Sequence, residues 1–393
     1  MTRWPAVLAA LLLAAALALY LAPHAAAQGY GGLVQLVPLP NATQLSSRCI
    51  TSSTWPGGPY TMANVTSASG LSIVIMPNPW NTKSGGGTIS VSACKDYVEA
   101  SVVNYNVTAV NPPLTVLGYP EVIYGYKPWG QVQTGESPLL ELPERVGELP
   151  GILVYINYTV GFPNGRGDFA FDIWVTRAYR PKSVGYGDLE IMVWLYTTPD
   201  NSPMGYRAPN FTVALPTVIN GTVVNATWGV YVARSIPWTY MAFALEPPVR
   251  SGYVVFPLSS ILAAAAQEWS RLFNYSLYGM YLNDVEIGLE YSSIAWPPVG
   301  VNVSAWYKIY SYGFVVVPRG TATITATATV VSTTTAPPIT TTSTTTVTVT
   351  ATATATATAT RTVGTATARS LEAALAIAIV AIVVLAVLLA RRS

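Results

Sequence analysis

Between residue 28 and about residue 320 the chain reads as short stretches of alternating apolar and polar residues, broken by Pro, Gly and Asn. Residues 71–76, 88–92, 151–157, 169–175 and 227–233 are examples, and a period of two predicts strands with one face in a core. Many strands at short intervals, without helical patterns between them, indicate an all-β jelly-roll sandwich. One helix is predicted over 257–274, with Ser259 or Ser260 as its cap. Leu262, Ala265, Ala266, Trp269 and Phe273 would form its apolar face.

The ends follow other patterns. Residues 1–27 carry Arg3, an apolar run and Ala25-Ala26-Ala27, as a cleaved secretory leader does. Residues 321–369 are Thr with Ala, Val and Pro, and read as a glycosylated stalk, although the alternation also suits a strand. Residues 370–390 approach the ~20 apolar residues of a membrane helix. The arginines of the tail 391–393 would stay inside and the 28–320 domain would face outward. Nine Asn-x-Ser/Thr triplets in that domain suggest a sugar-coated surface.

Only 10% of the 393 residues are charged and the net charge is +2, so no nucleic-acid footprint exists. The only histidine, His24, lies in the leader. Triad chemistry and most zinc chemistry are thereby removed, and acid–base work falls to carboxylates, Tyr or Lys. No metal or cofactor is expected. Cys49 and Cys94 are the only cysteines, and in an exported chain they are expected to pair. Such a bridge is worth about 4 kcal/mol in the chain-entropy model.

Cleaving a glycoside with retention needs two carboxyls about 5–5.5 Å apart. With 18 Asp and Glu in the chain, candidates are few. Residues 188–195, Asp-Leu-Glu-Ile-Met-Val-Trp-Leu, place Glu190, Met192 and Trp194 on the face opposite an aliphatic one. Taken alone, Glu190 there reads more readily as a solvent-facing residue. In 281–291 Asp284, Glu286, Gly288 and Glu290 share a face, and in 170–174 Asp172 lies between Ala170 and Trp174.

These stretches resemble glycoside hydrolase family 12, the β-jelly-roll endoglucanases. Residues 188–195 are similar to the family's nucleophile strand. Tyr-Leu-Asn-Asp-Val-Glu-Ile-Gly-Leu-Glu at 281–290 is similar to its acid/base strand, with Ile287 for the usual Ala and Leu289 for an aromatic. Pro-Asn-Pro-Trp-Asn at 77–81, the Tyr-Pro segment at 118–129, Ala-Phe-Asp-Ile-Trp at 170–174 and the stretch 228–252 follow in family order. The resemblance covers roughly 28–317, is closest to archaeal and thermophilic members, and leaves the stalk and anchor untouched.

It implies Glu190 as nucleophile and Glu290, rather than Glu286, as acid/base. Asp172 would support the nucleophile, and Asn78, Trp80, Trp129, Met192 and Trp194 would bind sugar. Trp129 and Trp194 can equally be core aromatics, and Trp80 less readily so. Glu290 should keep its proton to higher pH than Glu190, with activity peaking below neutral pH. The expected enzyme is a monomeric, retaining endo-β-1,4-glucanase acting on a β-glucan outside the cell. A lectin on the same sandwich would keep the aromatics without needing opposed carboxyls, and a structural envelope protein would leave the ordered motifs unexplained.

Overall fold

The computed structural model describes residues 32–317 except 47, 113 and 235, together with the backbone of 323–336 and 339–352. By contacts the chain falls into two units, one of Leu33–Leu215 with Ala226–Val316, the other of Met1–Gly32, Pro216–Asn225 and Val317–Ser393. In the second, Thr323–Ala336 and Ile339–Thr352 pair as an antiparallel hairpin. The expected stalk is thus partly strand, as its alternation allowed. The expected leader, the span 370–390 and the tail lie outside the described residues. Among the described residues no helix is long and apolar enough to cross a membrane.

The first unit is a sandwich of two sheets. Its inner sheet contains β1 (Ala63–Thr66), β2 (Ser72–Met76), β3 (Glu121–Lys127), β4 (Arg166–Thr176), β5 (Leu189–Thr197), β6 (Thr222–Ala233), β7 (Thr239–Glu246) and β8 (Asp284–Ser292). Hydrogen bonding orders these β1-β2-β3-β8-β4-β5-β7-β6, with only β5 and β7 parallel. The outer sheet holds Ile50–Thr54, Thr82–Ala93, Val98–Ala109, Val301–Val317, Gly151–Asn164 and Ser251–Pro257.

The alternation explains the core. Phe169, Phe171 and Ile173 of β4 point between the sheets with Leu189, Ile191 and Val193 of β5 and Val285, Ile287 and Leu289 of β8, all fully buried. Phe171 meets Phe256 and Tyr312 of the outer sheet, with ring centroids 5.4 and 5.6 Å away. Phe169 stacks on Tyr158 at 4.6 Å. Rings of this size remove much apolar area from water and hold the two sheets face to face.

A disulfide joins Cys49 to Cys94 with Cα atoms 4.2 Å apart. It sits beside the Ile50–Ala93 register pair and so pins the outer-sheet edge strand. The helix α1 runs Leu258–Leu272, burying Leu258, Ile261, Leu262, Ala265 and Trp269. Neither serine caps it: Pro257 is the N-cap without a side-chain bond, and Ser259 Oγ accepts from the Ile152 amide at 2.7 Å. The strand edge beneath the first turn claims the hydroxyl. Phe273 falls just past the helix and stacks on Trp269.

Replacing Phe171 by Ala should remove the bridge between the sheets and cost about 3–5 kcal/mol. Denaturant unfolding at constant slope would check this, and a loss under 1 kcal/mol would contradict the packing role.

Candidate active site

The face of the inner sheet turned away from the core is lined by acids. Antiparallel register sets Asp168, Ala170, Asp172 and Trp174 of β4 beside Glu290, Gly288 and Glu286 of β8 on one flank, and beside Met192 and Glu190 of β5 on the other. Gly288 of β8 pairs in turn with Glu121 of β3, and Glu190 with Tyr240 of β7. Because every second residue shares a face, a strand's alternation delivers its acids to one surface. Six of these carboxyls, Glu121, Asp168, Asp172, Glu190, Asp284 and Glu286, are buried, and Glu290 is half-buried.

Lys127 is the one cation in ion-pair contact with this set among the described residues. Its Nζ donates to Glu286 at 2.6 and 2.7 Å and to Glu121 at 3.0 Å, all three groups lying out of solvent. Burial opposes charge on Glu286, but the Lys127 ammonium and surrounding hydrogen bonds outweigh it and hold that carboxyl below its ordinary value. Burial lowers Lys127 too, yet the facing Glu121 and Glu286 raise it. Glu121, with Glu286 beside it, is pushed well up by burial and repulsion, and so is Asp284.

Glu190 is 9% exposed and accepts a hydrogen bond from Trp238 Nε1 at 2.5 Å. Burial pushes its carboxyl up to about 8, the Trp238 bond working against the rise and the Glu290 charge with it. Glu290 rises to about 7 through burial, held back by a hydrogen bond with Asp168. Glu190 lies under indoles with one neutral donor, whereas Glu290 has a carboxyl partner. Both hold protons into the neutral range, and the pair sheds one before the other.

The remaining predicted residues fall as follows. Asp172 lies on β4 with Oδ1 free of any donor, raised by burial and then by the Glu190 charge; no direct hydrogen bond joins it to Glu190. Asn78 is buried and its Nδ2 donates to Glu121 Oε1 at 2.8 Å, so that amide is already engaged. Trp80 is 36% exposed and offers a ring face. Trp129, 37% exposed, meets Trp174 edge-on at 6.0 Å and Trp238 at 5.8 Å.

Met192 and Trp194 do not form an open floor and wall. They are 2% and 3% exposed, with Trp194 Nε1 aimed at Met192 Sδ at 3.4 Å, inside a cluster with Tyr240, Ala242 and Ala244. Packing closes the face: Tyr231, Met204 and Ile236 fold against that cluster and cover it. Asp188, on the same face by alternation, accepts from the Arg177 and Gly185 amides and serves the turn before β5.

Sequence reasoning missed Lys127, Asp168 and Trp238. Lys127 lies six residues after Glu121 and so on its face, a lone cation in an otherwise apolar strand. Asp168 shares its parity with Asp172. Trp238 lies before β7, and nothing in the pattern aims its N–H at Glu190. No group of three His, Cys, Asp or Glu among the described residues is placed to hold a metal ion. What the surface can do is hold and release protons beside half-exposed indoles.

The sequence profile of Glycosyl hydrolase family 12 matches residues 71–309. Among solved structures, the native family 12 xyloglucanase from Bacillus licheniformis is similar at 17% identity and TM-score 0.50, with 68% of this chain and 100% of that chain covered. A metagenome-derived glycoside hydrolase family 12 endoglucanase is similar at 20% identity and TM-score 0.49, covering 69% and 99%. Endoglucanase cel12A from Rhodothermus marinus is similar at 20% and 0.47, covering 67% and 99%. At these identities the likeness concerns the fold. No curated protein matches the chain.

The raised Glu190 carboxyl makes a stability prediction. Below pH 4.5 the group is protonated folded or unfolded, so its contribution is intact; as pH climbs toward 8 the unfolded chain ionises first and stability is lost. Glu190→Gln cannot ionise and should be more stable than the parent at pH 7, by about 1–3 kcal/mol, with the gap closing near pH 4. Melting curves at the two pH values check it; equal gaps at both would refute it.

Proposed function

The chain belongs to glycosyl hydrolase family 12, and from that membership we propose that it cuts internal β-1,4 bonds of a β-glucan with retention of configuration. The reading rests on one arrangement: Glu190 of β5 and Glu290 of β8 flank β4 on the same sheet face, within electrostatic reach of each other.

In the first half-reaction Glu190 attacks the anomeric carbon while Glu290 protonates the leaving oxygen. In the second, Glu290 takes a proton from water as that water displaces Glu190. Trp238 Nε1 favours the charged form of Glu190. Asp172, raised by burial and then by the Glu190 charge, supports that carboxylate from the neighbouring strand. Trp80 and Trp129 offer flat apolar faces to pyranose rings. Asn78 acts through Glu121, and Met192 and Trp194 pack beside Glu190 on the same face of β5.

The leader-like segment 1–27, the Thr-rich segment 321–369 and the apolar run 370–390 lead us to place the enzyme outside the cell, held at the membrane by a C-terminal helix. Of the β-glucans, cellulose-type chains are our first choice. A lectin would need Trp80 and Trp129 but would gain nothing from burying carboxyls that resist ionisation.

Glu190→Gln and Glu290→Gln should each lower hydrolysis of soluble β-glucan by at least about a thousandfold while leaving the fold intact. Reducing-sugar release from a panel of cellulosic, mixed-linkage and xyloglucan substrates reads the activity, and NMR of the first-formed anomer reads the stereochemistry. Full activity in either variant, or an inverted product, would defeat the assignment. Unchanged glucan binding with no hydrolysis by the parent would favour the lectin.

A further inference from the structure

Asp168 is buried on β4 directly opposite Glu290 of β8 in the antiparallel register. Directly opposed residues of adjacent strands share a face, so the two carboxyls lie side by side, and each is a hydrogen-bonding neighbour in the electrostatics of the other. Asn201 Nδ2 reaches Asp168 Oδ2 at 3.4 Å, while the buried Oδ1 receives no N–H or O–H donor. Carboxylate oxygens only accept, so a hydrogen bond between two carboxyls requires a proton on one of them. The more enclosed member is the costlier one to leave charged, and that is Asp168.

We propose that Asp168 is a positioning residue for the acid/base, its protonated carboxyl donating a hydrogen bond to Glu290 through both halves of the reaction. The proposal rests on Glu290 being the acid/base. In glycosylation the bond from the anomeric carbon to the leaving oxygen breaks, the bond to Glu190 forms, and the Glu290 proton passes to the leaving oxygen. The Glu290 carboxylate then left is held by the Asp168 O–H. In hydrolysis the water oxygen bonds the anomeric carbon, the ester to Glu190 breaks, and the water proton goes to Glu290. The Asp168 proton is not consumed.

Other groups facing this pair do not supply the donor. Glu190 of β5 and Tyr240 of β7 look across from the far flank, and Tyr240 is kept protonated by burial and these acids. The Tyr119 hydroxyl donates to the Ala170 carbonyl at 2.8 Å. Glu121 and Glu286 are bound to Lys127, Asp284 accepts from the Trp174 amide, and Asp172 sits one step further along β4. Arg166 Nη1 donates to the Asp200 carbonyl. Burial and the Glu290 charge together raise Asp168 well above the usual carboxylate range, as a proton donor there requires.

The test is the pH profile of kcat/KM on soluble β-glucan for the full chain, Asp168→Ala and Asp168→Asn. Losing the donor destabilises the Glu290 anion, so the alkaline limb of Asp168→Ala should move up by about one pH unit. Asp168→Asn keeps an N–H donor and should restore the limb toward the parent position. A limb that moves down would mean that Asp168 is ionised, and one that stays still would mean that it is only structural; either overturns the proposal. Infrared spectra at pH 6 give a second reading that does not depend on turnover. In the difference spectrum of parent minus Asp168→Asn one protonated-carboxyl band should be lost, and a difference spectrum with no such loss would overturn the proposal even if the Ala variant does not fold. Should Glu290→Gln prove fully active, the acid/base assignment fails, while the infrared result still reports whether Asp168 holds a proton.

Discussion

One ammonium set among carboxyls governs this molecule. Lys127 is enclosed with Glu121 and Glu286, and Asp168, Asp172, Glu190, Asp284 and Glu290 share the same sheet face. Removing an ion from water costs several kcal/mol, which pairing or protonation must offset. Lys127 supplies the pairing for two acids, with Asn78 as a further donor to Glu121. Only Glu286 is thereby held below its ordinary value; burial and repulsion raise Glu121 despite the contact, as they raise the acids that find no cation. The charge that Lys127 sustains on Glu286 is then one of the fields that Asp172 and Glu190 experience.

Such a surface can exist only where the opposite face of the same strands is strongly held. Each acid on β4, β5 and β8 alternates with a fully buried aliphatic or aromatic residue, from Phe169 and Phe171 to Ile191, Val193, Ile287 and Leu289. The tilted and stacked rings between the sheets fix strand positions from behind. In front, Trp129, Trp174 and Trp238 pack against one another and exclude water from Glu190 while leaving part of Trp129 open. Stability is concentrated in one face so that the other can carry groups that weaken it.

Much of this was legible in the residues because a strand's period of two is local. The alternation around Glu190, Asp172 and Glu290 placed them on one side of their strands, and the sandwich followed from the many short stretches. What alternation does not encode is the neighbour across the sheet. Glu290 lies beside Asp168 and Glu190 beside Trp174 through register, which is set by turns and by packing far along the chain. Lys127 was readable as a cation on the Glu121 face, but its ring of acids was not. Met192 and Trp194 looked like cleft residues because their strand face was right; Tyr231 and Met204, distant in sequence, decide that they are covered. The helix cap failed for the same reason, since Ser259 answers to Ile152.

The two proposed catalytic carboxyls also differ in the kind of partner each has. Glu190 is met by an indole N–H, a donor that can steady a negative charge but neither gives up nor takes a proton in this range. A nucleophile needs that and no more, because its task is to be charged and stay so until the sugar arrives. Glu290 is met by a carboxyl, which donates when protonated and tracks the changing charge of its neighbour. An acid/base must be neutral in one step and anionic in the next, and only a partner that tolerates both forms leaves the two steps near balance. Strand register sets Asp168 beside Glu290, and the segment before β7 brings Trp238 to Glu190, so the two glutamates already differ in their partners in the empty sheet.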